Sequence, residues 1–313
     1  MSPRAVDRLR TALRRRLAPP PETSLAAYAC VRGARLLGEL SDGGGDTSVP
    51  GVTVRDRTIR GSDADVPVRW YRPPGDADRR PVTIFLHGGG WITGGLDTNQ
   101  RLCASLARET GRTVVAVDYR LAPEHRHPAA LRDCEHVLDW IDANGPAHGL
   151  DTDSVRLFGA SAGGTLAAAL HSDPAAAPSL PVEQQTLVYP PLDPAFDARR
   201  RSVGPLRRAS RPLIEALWDL YLPPDADRTT PRVAPLRTTR FDAVPPTTVV
   251  TCGFDPLRAE GRAYARALAA AEVPVAHVDF PRFPHGALTL LPRISRARTV
   301  AVLRRILAAS PTG

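Results

Sequence analysis

Lysine is absent from the 313-residue chain, so all 41 positions counted as lysine or arginine are arginine. The arginines run through the whole length, and the net charge of +8 reads as a coding bias rather than a binding patch. Without a clustered basic face and interleaved aromatics, in a chain that is 5% aromatic, no nucleic-acid partner is expected. Cysteine is scarce as well. Cys30, Cys103, Cys134 and Cys252 form neither a C-x-x-C pair nor a framework spacing, which argues against a disulfide scaffold. They read as reduced, mostly buried thiols of a cytoplasmic protein, Cys30 and Cys103 in helical stretches and Cys252 just after a strand. No run approaches the roughly eighteen apolar residues of a membrane span, so no stable membrane insertion is expected. The opening MSPRAVDRLRTALRRRLAPPPE carries arginines with no apolar core behind them and does not read as a secretory signal.

What is present is enough for a large core: 42% hydrophobic residues, in a length suited to one α/β unit with an elaboration. Val6, Leu9, Leu13 and Leu17 sit at helical spacing among arginines. This reads as an amphipathic helix docked on the protein, with a membrane-surface helix as the other reading. Pro19–Pro21 ends it, a second helix spans Ser24–Leu40, and Asp42–Asp46 is a glycine linker. From Val52 the period becomes two, giving strands over Val52–Ile59 and Val66–Tyr71. Strands then alternate with helices: Val82–Leu86, a helix over Asp97–Thr110, Thr113–Asp118, a helix over Pro128–Asn144, Val155–Phe158, a helix over Ser161–His171, and Gln185–Tyr189. Residues 191–244 break this rhythm, with one clear helix, Pro212–Leu222. It resumes with Thr247–Thr251, a helix over Arg258–Ala271, Val275–Phe280 and a last helix, Arg293–Ala309. Two antiparallel-type strands followed by βα units imply one mostly parallel sheet covered on both faces, and the break implies an inserted lid.

The chemistry centres on Gly159-Ala160-Ser161-Ala162-Gly163, between a buried strand and a helix. A turn this tight strains the serine and leaves no room for side chains two positions either side, but it lifts the hydroxyl clear of the backbone. G-x-S-x-G alone also fits a glycine-rich turn. A serine hydroxyl becomes a nucleophile only beside a base that a third group orients. Asp255 and His285 each follow a strand end, in the order Ser, Asp, His. Taken singly, Asp255 also fits a helix N-cap and His285 a loop residue. Consecutive glycines in His87-Gly88-Gly89-Gly90 would let the N–H groups of Gly88 and Gly89 point, with that of Ala162, at a developing oxyanion. Such donors are worth about 3–4 kcal/mol each.

Together HGGGW, DYRLAPEH, GASAGG, DPLRAEG and PHG resemble the hormone-sensitive-lipase-type family of bacterial esterases, over about residues 50–310. The resemblance implies an α/β-hydrolase fold, with a mostly parallel eight-stranded sheet, helices on both faces and a helical cap. The cap would comprise residues 1–48 and an insertion at about 191–240 of a catalytic domain spanning 49–313. It also implies Ser161 as nucleophile, His285 as base, Asp255 as orienter, and Gly88, Gly89 and Ala162 as oxyanion donors. No cofactor and no metal are expected, and the partner is a small ester with short to medium acyl groups. A homodimer is compatible with all of this.

Three positions depart from the family pattern: Ala160 where Asp is common, Ala287 where Phe is common, and Arg282 where Gly is common. Trp91, Trp218 and Tyr221 are candidates for the pocket wall, with core or lid packing as the alternative. His125 and His127 lack a third ligand and read as surface loop, and Arg120 with Glu124 reads as an ion pair. The same groups would serve an amide or N-formyl hydrolase, an acyltransferase, a lyase or a cyclase, because fold and triad do not fix the substrate. A non-catalytic small-molecule receptor of this fold usually lacks the histidine, which is present here.

Overall fold

A computed structural model of the chain describes residues 20, 23–42, 48–195 and 205–311. The expected basic helix over residues 4–17, the glycines after Asp42 and residues 196–204 lie outside the described residues. The strands are β1 (Thr53–Ile59), β2 (Val66–Arg72), β3 (Arg80–Leu86), β4 (Thr113–Val117), β5 (Leu150–Ala160), β6 (Val182–Val188), β7 (Thr247–Phe254) and β8 (Val275–Pro284). They form one eight-stranded sheet in the order β1-β2-β4-β3-β5-β6-β7-β8. Pairing is antiparallel for β1 with β2 and β2 with β4, and parallel from β4 through β8. β1, at the edge, is exposed along most of its length, whereas the interior strand β4, apolar after Thr113, is buried throughout. That contrast is why β1 alternates in character and β4 does not.

The helices are α1 (Leu25–Asp42), α2 (Gln100–Thr110), α3 (Ala129–Asn144), α4 (Ala162–Ala169), α5 (Pro205–Tyr221), α6 (Arg258–Ala270), α7 (Ala287–Ile294) and α8 (Arg296–Ala308). Successive side chains of a strand point to opposite faces, so the central strands feed two cores. Ile84, Val115 and Leu157 pack with Leu131, Leu166 and Tyr264 of α3, α4 and α6. Their neighbours Phe85, Val114 and Phe158 pack on the other face with Leu102, Leu106 and Ile306 of α2 and α8. Each such fully buried large side chain contributes about 1.5–3 kcal/mol over an exposed one.

Several boundaries differ from the sequence expectations. β5 and β8 are longer than their apolar runs and deliver the chain directly to Ser161 and His285. β7 runs to Phe254, so Cys252 lies inside the strand rather than after it. Cys103, Cys134 and Cys252 are buried, Cys30 is exposed, and all four are free. The single last helix divides into α7 and α8 at Ser295, which is extended (φ −158°) and accepts the N–H of Arg298 as an N-cap. α5 starts at Pro205 and carries Pro212 inside it.

Arg120 and Glu124 do not pair. The segment between them is not helical, so a four-residue spacing does not bring the side chains together. Arg120 instead binds Asp133 of α3 and, at 2.8 Å, Asp63, while Glu124 binds Arg35 of α1 at 2.6 Å. Among the described residues no helix is long and apolar enough to cross a membrane.

Candidate active site

Ser161 occupies the single residue between β5 and α4, at φ 52° and ψ −119°, a region non-glycine residues rarely adopt. Holding a residue there costs on the order of 1–3 kcal/mol, and the surroundings must over-determine it. They do. Its N–H donates to Val188 O at 2.8 Å, and its carbonyl accepts the N–H groups of Gly164 and Thr165 in the first turn of α4. A Cβ on Gly159 would fall 2.3 Å from Gly163 O, and one on Gly163 would fall 2.1 Å from Leu86 O. Only glycine at both positions lets strand, turn and helix close up.

His285 follows β8 at once, and its Nε2 lies 3.0 Å from Ser161 Oγ. Its Nδ1 lies 3.0 Å from Asp255 Oδ2. The Asp255 side chain is fully buried beyond the end of β7. Its other oxygen, Oδ1, accepts the N–H of Leu257 at 2.8 Å. The two readings of Asp255 are thus compatible: one oxygen organises the turn into α6 and the other faces the imidazole. Because an ionised carboxylate only accepts, this contact selects the tautomer with hydrogen on Nδ1 and the Nε2 lone pair toward Ser161. The ring of Tyr189 lies 4.7 Å from that of His285.

After β3 the loop from His87 doubles back on itself. Gly89 (φ 130°), Gly90 (φ 59°) and Trp91 (φ 61°) all have positive φ, and Gly89 O accepts the N–H groups of both Ile92 and Thr93. A Cβ on Gly88 would come 3.3 Å from Ser161 Cβ, which sets this loop directly against the Ser161 turn. Ala162 opens α4 beside them. His87 stacks on Tyr119 at 4.1 Å, and the Tyr119 hydroxyl donates to His87 O at 2.7 Å. Burial pushes the His87 pKa down to about 4, so the ring is neutral near pH 7 and Nδ1–H can donate to Gly88 O at 2.8 Å. Ala160 is fully buried at the end of β5, where a carboxylate would have needed partners.

Ser161, His285 and Gly88–Gly90 open onto a cavity of about 1240 Å³. Leu213, Ile214 and Leu217 of α5 supply an apolar wall, Ala34 and Arg35 come from α1, and Phe254 and Leu290 also border it. Another part is polar, with Arg69, Asp97, Gln100 and Asp118. Arg69 is held by Asp56 and Asp97, each at 2.5 Å. Burial, and then the charge of Asp97, push Asp118 up to about 6.

Trp91 and Trp218 border the cavity but are each only 1% exposed, so they back its wall. Tyr221 does not reach it. Its ring stacks behind Trp91 at 4.4 Å, and its hydroxyl lies 3.2 Å from His127 Nδ1, so it is core. Among the described residues no group of three or more His, Cys, Asp or Glu side chains could hold a metal ion.

The sequence reading named Trp218 but missed Arg35, Asp118, Tyr189 and, on α5, Leu213, Ile214 and Leu217. Only the α5 residues had a signal, because Leu213, Ile214 and Leu217 recur with Trp218 at helical spacing on one face.

The model of the alpha/beta hydrolase fold family matches residues 83–289. Carboxylic ester hydrolase LipN of Mycobacterium tuberculosis is 37% identical over 248 residues, 76% of this chain but only 65% of LipN, just under two thirds of its length. Carboxylesterase NlhH of the same species is 34% identical over 274 residues, 83% of this chain and 84% of that protein. Among solved structures, an esterase from Pyrobaculum calidifontis superposes with a TM-score of 0.78 at 30% identity, covering 90% of this chain and 94% of that one.

Proposed function

The chain belongs to the alpha/beta hydrolase fold family, in its hormone-sensitive-lipase-type branch, and on that footing we propose that it is a serine carboxylic ester hydrolase. The observation that carries the reading is the unbroken line Ser161 Oγ, His285 Nε2, His285 Nδ1, Asp255 Oδ2, with both contacts at 3.0 Å and the serine end open to the cavity. As Ser161 Oγ bonds to the acyl carbon, its proton passes to His285 Nε2, and buried Asp255 stabilises the imidazolium. The N–H groups of Gly88, Gly89 and Ala162 take the negative charge that moves onto the acyl oxygen. Collapse breaks the bond to the alcohol oxygen, which leaves with the His285 proton. Water, deprotonated by the same ring, then attacks the acyl-serine, and the acid departs as Ser161 recovers its proton. Every proton transfer and every charge is met by the chain itself.

We assign residues 1–48 and the insertion at about 191–240 as the cap, because Arg35, Leu213, Ile214, Leu217 and Trp218 of those segments border the cavity. The apolar α5 wall suits short to medium acyl groups, as does the relationship to an ethyl acetate hydrolase of Pseudomonas putida.

An aryl phosphonate should modify the protein once, at Ser161, and abolish turnover of acetyl and butyryl aryl esters. Ser161→Ala should lose labelling and turnover while keeping its far-UV circular dichroism. A wild-type protein that resists the phosphonate and leaves both esters intact would overturn the proposal.

A further inference from the structure

The Gly88–Gly90 loop is built from conformations that do not hold themselves. Three successive residues, Gly89 to Trp91, have positive φ, and two of them are glycines, the residue with the most freedom to lose. Something outside the loop must fix it. Part of the answer is apolar: a Cβ on Gly90 would fall 2.9 Å from Leu217 Cδ2, so α5 packs directly on the loop.

Polar support comes from the Tyr119 hydroxyl on His87 O, at 2.7 Å, and from one side chain of α1. The Arg35 guanidinium donates from Nε to Ile92 O at 2.7 Å and from Nη2 to Ala122 O at 2.8 Å. It also forks onto both oxygens of Glu124, from Nη1 at 2.6 Å and from Nη2 at 2.8 Å. These acceptors belong to two loops already tied together, since the N–H of Ala122 donates to Trp91 O at 2.9 Å. The peptide that Arg35 grips, between Ile92 and Thr93, is itself anchored on Gly89, because its N–H, that of Thr93, donates to Gly89 O at 3.0 Å.

Burial alone would raise the pKa of Glu124. The Arg35 hydrogen bonds and charge, together with hydrogen bonds from the backbone and from the Tyr28 hydroxyl, outweigh it and hold the carboxyl below its usual value, so Glu124 is ionised at neutral pH. The two side chains are only 18% and 27% exposed, which shields the contact from water and makes it stronger than a surface pair.

We propose that Arg35 is a positioning residue for the Gly88–Gly90 loop, making α1 a working part of the active site rather than cover alone. This rests on the esterase reading above. Arg35 is needed for the placement of donors around the transition state, and a short ester should feel its loss in kcat. An ammonium cannot replace it, because the grip uses a planar fork on a carboxylate and two backbone carbonyls at once.

The test compares wild type, Arg35→Ala, Arg35→Lys and Glu124→Gln on 4-nitrophenyl acetate, with phosphonate labelling rates and melting temperatures measured alongside. Arg35→Ala should lose about 10- to 100-fold in kcat, the scale of a misplacement of about an ångström, with KM within about twofold. Labelling should slow in parallel. Arg35→Lys should recover little, Glu124→Gln should fall between, and added methylguanidinium should restore part of the activity of Arg35→Ala. If Arg35→Ala does not fold, Arg35→Lys and Glu124→Gln carry the test.

Variants that fold and keep kcat within twofold of wild type overturn the proposal, as does a loss confined to KM, which would make Arg35 a substrate contact. An inert wild type sinks the esterase reading and takes this inference with it. An active wild type with unaffected variants sinks this inference alone.

Discussion

Replacing Gly163 by alanine sets helix propensity against a collision of backbones. In an open helix interior the change gains about 0.5–1 kcal/mol. At Gly163 the new Cβ would stand 2.1 Å from Leu86 O and 2.5 Å from His87 O. Carbon and oxygen approach to about 3.3 Å at best, so α4 and the end of β3 must part by about an ångström. Overpacking of a filled core costs about 1–3 kcal/mol, and the upper end applies because both obstacles are backbone. The net expectation is a loss of about 2–2.5 kcal/mol. The same movement pulls Gly88 away from Ser161, so kcat should fall about a hundredfold.

Two other helical glycines calibrate the reasoning. Gly33→Ala meets nothing within 4 Å and should stabilise. Gly164→Ala, with Pro190 Cβ at 3.1 Å and Gly159 O at 3.2 Å, should be close to neutral. Urea unfolding followed by circular dichroism, with kcat on 4-nitrophenyl acetate, reads both effects. A Gly163→Ala protein as stable as Gly33→Ala, with normal turnover, would refute the steric argument.

Two pH effects follow from burial. His87, His127 and His171 are each pushed from 6.5 to about 4, chiefly by desolvation, so between those values the unfolded chain binds protons that the native state refuses. Stability should be greatest above about pH 6.5 and fall toward pH 4, by up to about 1.4 kcal/mol per pH unit for each histidine. His171→Leu removes a ring whose Nδ1 has no partner and should flatten that slope. A urea midpoint unchanged between pH 7 and 4.5 would contradict this. Asp118 is shifted the other way, up to about 6 from 3.8, so its carboxyl costs stability as pH rises through that window. Asp118→Asn should raise the melting temperature at pH 8 but not at pH 4, and an equal gain at both would show that charge is not the cause.

The elements that carry Ser161, Asp255 and His285 were legible because each rests on a local pattern. A buried apolar strand ends and a glycine or proline marks the turn. The candidate residue then stands at the C-terminal edge of a parallel strand. The glycines of His87–Gly90 and of Gly159–Gly163 were legible for the same reason, since close approach of backbone excludes a side chain. The paired antiparallel start and the parallel remainder follow from period-two runs giving way to βα units, and the sheet order agrees. Boundaries were less legible. β8 continues through Arg282 to Pro284 because the neighbouring β7 pairs with it that far, which apolar content alone does not reveal.

Other features depend on which surfaces meet. Arg120 and Glu124 lie four apart in the chain, yet each finds its partner elsewhere, on α3 and on α1. Tyr221 and Trp218 lie on one helix, but Trp91 stands between Tyr221 and the cavity. Arg35 has no sequence signal at all, because its partners Ile92, Ala122 and Glu124 are brought to it only when α1 docks. Periodicity, turn residues and strand-end chemistry act over a few residues, and the linear chain contains them. The depth of the Asp118 carboxyl, the neutrality of His87 and the grip of Arg35 come from desolvation and from contacts between segments up to about ninety residues apart. Those arise only when the sheet, its two cores and the helices over the cavity have closed together.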